Sequence, residues 1–552
     1  MAQPEPPRTP FKNWPNDAGF DATVEQHNPL ELPIIGTFPS CLAGTLYRTG
    51  PGTYKVPDSK FQLSHWFDGF THLHRFQLVA KPKGGCKVFY TSRRQVDAMI
   101  EEARKLGSLK DITFGQKRDP CESIFHKVKS IFLPAINKLD PVLVNSGVTV
   151  FANAPVAPPH LKATERPESV QFHNLTTLTD ANVIKHINPD TLEPLGVTQQ
   201  TTLHPSLKGP LSCAHAEIDP ESGDLYNYNL SFGRNSTYRI FRTCATTNKT
   251  SILATITGPA VKPAYLHSFF LSPDYVILCI WPCVIAAGGI RILWERNVVD
   301  ALRFDPTLQT RWYVVDRRNR RGVVATFLSP AFFSFHTINA WQKSNEDGTV
   351  DIICDIIQYP TDQLIRGVYY EAIISTGKDV EKYFGNENSR ASLVRYRLAG
   401  VPREGRMPKS AKDAGLPGAE ALCRVNSEYI MELPTINPRF KTTKTRYVYA
   451  VLNEGKSSFF DALVKVDLET QKLQIWSTEH HTPGEAIFIP NETDNAEDAG
   501  FLLSVVLNGD TRTSYLLCLD ARNLIEVGRA ECPAAVGFGF HGSHYPPPRK
   551  DA

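Results

Sequence analysis

Short apolar, β-branched and aromatic runs broken by turns dominate the chain. Residues 237–241, 312–315, 447–451 and 514–518 are of this kind and too short for helices. Turns of one form lie between such runs: Asn188-Pro189-Asp190-Thr191, Asp219-Pro220-Glu221-Ser222, Asp305-Pro306-Thr307 and Asp467-Leu468-Glu469-Thr470. Asn and Asp bond their own backbone two residues on, and Pro presets φ for a turn. Repeated strand–turn–strand units predict the hairpins of propeller blades. Their irregular spacing leaves a pair of β-sandwiches as the rival on pattern alone.

Helical signal is concentrated in residues 121–138. Ile124, Phe125, Val128, Ile131, Phe132 and Ile136 fall on one face there, with Lys127, Lys129 and Lys138 among them. Pro134 is expected to end or kink this helix near Leu133. Residues 377–425, rich in Gly, Pro and charge, read as long connections around one strand at 393–398. Residues 1–28 are Pro-rich and polar, which predicts an extended arm ahead of one domain over 29–552.

A chain of 552 residues is long for one compact domain, but a repeat architecture can use that length in one unit. Apolar residues make up 41%, enough for a large core. A net charge of +3 excludes the concentrated basic stripe of a dedicated nucleic-acid binder. The 11 cysteines form no CxxC pair and read as reduced thiols, which points to the cytoplasm. The first residues lack a basic start followed by an apolar stretch, so no secretion is expected. The longest apolar run, residues 275–287, contains Pro282 and falls short of the roughly 20 residues that span a bilayer.

No GxSxG, HExxH, P-loop or dinucleotide glycine fingerprint occurs. Sixteen histidines remain, four in distinctive settings: Ala214-His215-Ala216, Leu266-His267-Ser268-Phe269, Phe335-His336-Thr337-Ile338-Asn339 and Phe540-His541-Gly542. They stand 52, 69 and 205 positions apart. This is no zinc-finger or helical metal spacing, but it suits blades that each point one side chain at a common axis. A neutral buried imidazole is a good ligand for iron, zinc or copper. Spacing alone leaves open the commoner fate of such a histidine, a satisfied core residue.

These four contexts resemble the iron-binding histidines of the carotenoid cleavage oxygenase family. The resemblance runs from about Glu31 to His544. It includes Gly44-Thr45-Leu46-Tyr47-Arg48-Thr49-Gly50-Pro51, His65-Trp66-Phe67-Asp68-Gly69-Phe70 and Phe538-Gly539-Phe540-His541-Gly542. It implies an all-β, seven-bladed propeller under a helical and loop dome. One Fe(II) per chain would be held by His215, His267, His336 and His541, with O₂ as co-substrate. It also implies carboxylates behind three of the rings, here Asp180, Glu432 and Glu485. Many relatives have Glu where this chain has Asp180. The side chain is one methylene shorter, so its contact is expected to be longer, water-bridged or shifted. His65 and Asp68 are read as packing residues, and His72, His74, His480 and His481 as non-ligands.

The implied reaction is oxidative cleavage of a carotenoid double bond to two aldehydes, with the chain closest to the fungal torulene-cleaving type. Candidate tunnel residues are Trp281, Phe332, Phe333, Phe335, Trp341, Phe538 and Phe540. A polyene substrate lives in membranes or droplets. Ile124, Phe125, Val128, Ile131 and Phe132 are therefore expected to dip into a lipid surface, with residues 284–293 as a second lipid-facing stretch. Cleavage of a phenolic stilbene is a rival; relatives with that activity carry Lys where this chain has Thr179. Retinyl-ester isomerohydrolase chemistry and a non-catalytic scaffold are further alternatives.

Overall fold

The computed structural model describes residues 14–118, 140–158, 172–374, 387–405, 415–428 and 430–547. Seven antiparallel sheets follow one another around a ring, as the turn pattern predicts. The sandwich alternative is thereby removed. Blade 2, for example, runs Thr149–Ala152, Leu175–Leu178, Val183–Ile187, Pro194–Gln199. Blade 4 runs Phe270–Leu271, Tyr275–Ile280, Thr310–Asp316, Gly322–Ser329. The turns behave as their residues dictate. Asn188 Oδ1 accepts from the N–H groups of Asp190 and Thr191 at 2.9 and 3.2 Å, and Asp467 Oδ1 from those of Glu469 and Thr470 at 3.0 and 3.3 Å.

Strands inside a blade face a neighbouring blade on both sides. They are therefore near-continuous apolar runs rather than alternating ones; Val276, Ile277, Leu278 and Cys279 are wholly buried. Outer strands show the opposite pattern. Lys472–Trp476 is almost entirely exposed, as is Glu420–Asn426, whose charges guard an open sheet edge. The second of these corrects the reading of residues 377–425: among the described residues two strands are present, Ser392–Val401 and Glu420–Asn426. Ala421, Leu422 and Cys423 are neither β-branched nor aromatic, so this strand stood out poorly from the Gly- and Pro-rich stretch around it.

Blade 1 closes the ring by joining the two ends of the chain. Its order is Leu30–Glu31, Cys86–Arg94, Phe70–Ala80, Gly44–Thr53, His541–Tyr545. Thr49 pairs with His541 and Arg48 with Gly542, which sets the register of the last strand. Within the expected N-terminal arm, Asp17–Phe20 forms one helical turn with Phe20 buried. Over blade 4 lie a two-stranded sheet, Cys283–Ile285 with Leu302–Phe304, and the short helix Ile290–Glu295. The expected helix at 121–138, with Ile124, Phe125, Val128, Ile131 and Phe132, lies outside the described residues. Among the described residues no helix is long and apolar enough to cross a membrane.

Candidate metal centre and its cavity

The four singled-out histidines come from four blades and meet at one point. His215 lies between Leu211–Ser212 and Glu217–Ile218 of blade 3, and His267 three residues ahead of Phe270–Leu271. His336 directly precedes Thr337–Ser344 of blade 5, and His541 opens the final strand. One nitrogen from each lies within 4.8 Å of the others. His267, His336 and His541 are buried and His215 is half-buried.

Each of three rings is braced from behind. His336 Nδ1 donates to Glu432 Oε2 at 2.5 Å, and His541 Nδ1 to Glu485 Oε1 at 2.8 Å. His267 Nδ1 faces Asp180 Oδ2 at 3.0 Å and Oδ1 at 3.2 Å. The shorter aspartate, expected to make a longer, water-bridged or shifted contact, makes a direct one that at 3.0 Å is the longest of the three. Its reach is supplied by the hairpin between Leu178 and Val183. There Asp180 also accepts from Tyr265 Oη at 2.9 Å and from the Ala214 N–H at 3.1 Å. Glu432 stands at a strand irregularity. The residue after it, Leu433, takes φ 51°, a left-handed conformation that a non-glycine residue adopts at a cost. Glu485 Oε2 also accepts from the Gly542 N–H at 2.8 Å and from Arg48 Nη1 at 3.3 Å.

An acceptor at Nδ1 fixes the tautomer with its proton there and leaves the Nε2 lone pair pointing inward. His336 Nε2 and His541 Nε2 then confront each other at 3.3 Å without a proton between them. His215 Nε2 is buried without a hydrogen-bond partner. Burial pushes His215 well below the usual histidine range and His541 down to about 4, so both are neutral at pH 7. The neighbouring charges agree. Asp180, Glu432 and Glu485 against the single guanidinium of Arg48 leave two negative charges beside the rings, as a divalent cation requires. The donor set thus fits a divalent transition metal.

A cavity of about 650 Å³ opens beside the rings and includes His267, His336 and His541 in its wall. The rest is almost wholly apolar, with Trp66, Phe67, Phe335, Phe459, Phe460 and Phe540 as its aromatic lining. Of the candidate tunnel residues, Phe335 and Phe540 line it. Trp281, Phe332 and Phe333 do not; they pack on one another, and Phe332 also on Trp312, in the wholly buried space between blades 4 and 5. Trp341 lies against Arg395, 5.8 Å from ring to guanidinium. Phe538 stands behind the wall, packed on Phe20 and Phe459.

Sequence reasoning missed Trp66 and Phe67, although the block that holds them was noted. His65 and Asp68 are packing residues as read, and their bonds aim the two rings between them. His65 Nε2 donates to Ile365 O at 2.9 Å, and Asp68 accepts from the N–H groups of Phe114 and Gly115 at 2.6 and 2.7 Å. Phe459 and Phe460, also missed, sit in a Ser- and Gly-containing turn that carries no periodic signal.

Comparison with known proteins agrees with this architecture. Residues 19–546 match the family model described as Retinal pigment epithelial membrane protein. The chain is 40% identical to a carotenoid dioxygenase of Neurospora crassa, over 97% of this chain and 92% of that protein. It is 42% identical to a torulene dioxygenase of Fusarium fujikuroi, over 97% and 94%. Among solved structures, cobalt-substituted Synechocystis apocarotenoid oxygenase superposes with a TM-score of 0.71 at 23% identity, over 96% of this chain and 98% of that one. A propeller of this build, matched along nearly its whole length by these relatives, places the chain in the family of retinal pigment epithelial membrane protein and the carotenoid oxygenases.

Proposed function

We propose that this protein is an Fe(II)-dependent dioxygenase that cleaves one double bond of a carotenoid, of the torulene or β-carotene type, into two aldehydes. The observation that carries the reading is a nearly apolar cavity lined by three of four convergent imidazoles. The dioxygenase names of the relatives at 40–42% identity support the reaction and its substrate class.

His215, His267, His336 and His541 would hold the metal through neutral nitrogens. Ferrous iron, when bound, supplies the activation of O₂ for addition across a double bond. The chain's own residues do the rest. Asp180, Glu432 and Glu485 keep the Nδ1 protons in place and the rings rigid, so that no side chain must reorganise. Phe67, Phe335 and Phe540, packed edge to face, offer an apolar aromatic wall to a conjugated chain and exclude water from it. Among the described residues, the titratable groups lining this cavity are the three imidazoles and the braced Glu432, consistent with a reaction that adds both oxygen atoms of O₂ to substrate and needs no outside proton.

The same reading has the polyene arrive from a membrane or lipid-droplet surface. The apolar residues and lysines in the sequence of 121–138 support it, as does Ile290, which is 62% exposed on its short helix. Wild-type protein is expected to float with liposomes; failure to do so would remove this part.

The test of the function is reconstitution with Fe(II) without oxygen, followed by air and micellar torulene, β-carotene or resveratrol, with products identified by mass spectrometry. An iron-dependent aldehyde pair from a carotenoid is expected. Cleavage of resveratrol alone would transfer the function to stilbenes.

A further inference from the structure

The part of the cavity wall formed by Phe459 rests on a loop that the N-terminal segment helps to hold in place. Contacts between rings give the order along the cavity. Phe67 lies 6.3 Å from His267, and Phe540 lies 5.4 Å from Phe67 and 4.7 Å from Trp66. Trp66 is in turn 5.0 Å from Phe459. Phe459 thus connects to His267 through Trp66 and Phe67, with two rings between them, and lines the same cavity.

The loop that carries Phe459 is closed by its own polar groups. Buried Asp461 accepts from the N–H groups of Glu454, Lys456 and Ser457 at 2.7, 2.9 and 3.2 Å. Ser457 Oγ accepts from the Phe459 N–H at 3.1 Å. Asn453 Nδ2 donates to Ser457 O at 3.2 Å and to Phe459 O, and Ser458 Oγ donates to Ile373 O. Two further bonds come from the N-terminal segment. Asn16, 4% exposed, uses its amide to donate to Ser457 Oγ at 3.1 Å and to Ser458 Oγ at 3.2 Å. Phe20 packs edge-on against Phe459 at 5.1 Å and Phe538 at 4.8 Å.

The segment itself has no freedom to shift. The Phe538 N–H donates to Gly19 O at 2.9 Å, and a Cβ at Gly19 would stand 2.3 Å from the Phe538 ring. Asp17 and Arg512 form a two-pronged ion pair, both bonds at 2.9 Å. A surface arm needs no doubly bonded buried amide and no phenylalanine in the core. These features make sense if the loop must be held to a fixed position.

We propose that the N-terminal segment, through Asn16 and Phe20 as positioning residues for Phe459, sets the depth of the cavity and so decides which double bond comes to rest at the histidines. This inference rests on the proposed reading of the cavity as the seat of a polyene. A conjugated chain is a rigid rod, so its stopping point fixes the bond presented to the metal. Moving a wall by a methylene or two changes the fit of a chain end by about tenfold or more.

The test measures binding of polyene aldehydes of increasing length to the iron-loaded full chain, by quenching of tryptophan emission. Wild type, Phe459→Leu, Asn16→Leu and Phe20→Leu are compared, with iron content measured for each. Phe20→Leu keeps an apolar side chain in the core and decides the matter should Asn16→Leu fail to fold. Wild type is expected to show a sharp length limit. Phe459→Leu and the N-terminal variants should admit the next longer aldehyde about tenfold more tightly at unchanged iron content. The aldehyde pair formed from one carotenoid should shift with them. A limit that moves in Phe459→Leu but in neither N-terminal variant would overturn the proposal, as would a limit that moves in none. Binding is read without turnover. A protein that seats polyenes but forms no aldehyde would therefore refute the proposed function, and the length series would still decide this inference.

Discussion

At the scale of single residues, the centre depends on where protons sit. Each braced ring holds its proton at Nδ1 because a carboxylate accepts it there, and that choice presents Nε2 inward. Replacing His336 with Ala is expected to abolish iron retention and cleavage in a protein that still folds. Full activity in that variant would refute the ligand set. Asp180→Asn and Glu432→Gln test the braces. Reading the shorter side chain from sequence suggests a milder effect for Asp180. The observed direct contacts to His267, Tyr265 and Ala214 predict losses of similar size, about 10–100-fold in metal affinity for each. Near-normal affinity in Asp180→Asn, measured by competition with a chelator, would show that its bonds are incidental.

At the scale of elements, the last strand does two jobs. Residues 541–545 close the first blade and bring His541 to the axis, and one buried ion pair ties both to the blade that holds His481–Pro483, Ile487–Pro490 and Gly500–Asn508. Arg48 in the strand beside it meets Glu485, which in turn holds His541. Arg48→Met removes one partner and leaves a buried carboxylate behind. It is expected to cost about 3–5 kcal/mol of stability, read by urea denaturation, and to lower iron retention with it. An unchanged denaturation midpoint would show that Glu485 does not depend on Arg48.

How much was legible in the sequence also varied by element. Apolar blade strands and Asx turns announced themselves because burial and turn geometry restrict residue type locally. The four histidines stood out through the residues flanking them, whereas their role as ligands and the three acids behind them came from the family resemblance. Glu420–Asn426 did not stand out, since only Val425 among its apolar residues is β-branched and none is aromatic. The cavity wall was largely missed for a related reason. Phenylalanines are common in any core, and only the path of the chain separates Phe335 and Phe540, which line the cavity, from Phe332 and Phe333, which do not. Trp66 and Phe67 were hidden inside a block whose polar members, His65 and Asp68, explain their orientation.

At the scale of the whole molecule, burial of titratable groups sets the response to acid. Burial lowers His65 to about 3 and His72 and His544 to about 4, and holds His74 well below its ordinary value. These histidines stay neutral in the folded chain while the unfolded chain takes up protons below pH 6.5. Each therefore removes stability as pH falls from about 6.5 towards 4, by about 1.4 kcal/mol per pH unit. Asp68 and Asp461 act in the opposite sense. Burial raises both to about 6, so the folded chain holds their protons more tightly and gains stability as pH falls from about 6 to 3.8. Four histidines outweigh two aspartates, and the midpoint of urea unfolding is expected to drop between pH 7.5 and pH 5. A midpoint that rises over that interval would mean that the buried carboxyls dominate.

The central claim is that one metal at the four histidines enables cleavage of a carotenoid. The most direct test titrates metal-free protein with Fe(II) in the absence of oxygen, then adds air and torulene, and measures bound iron and aldehyde product on the same samples. Product that rises with bound iron and levels off at one equivalent per chain is the predicted result. Cleavage at full rate in the iron-free sample, or none at full occupancy with torulene or β-carotene, would contradict it.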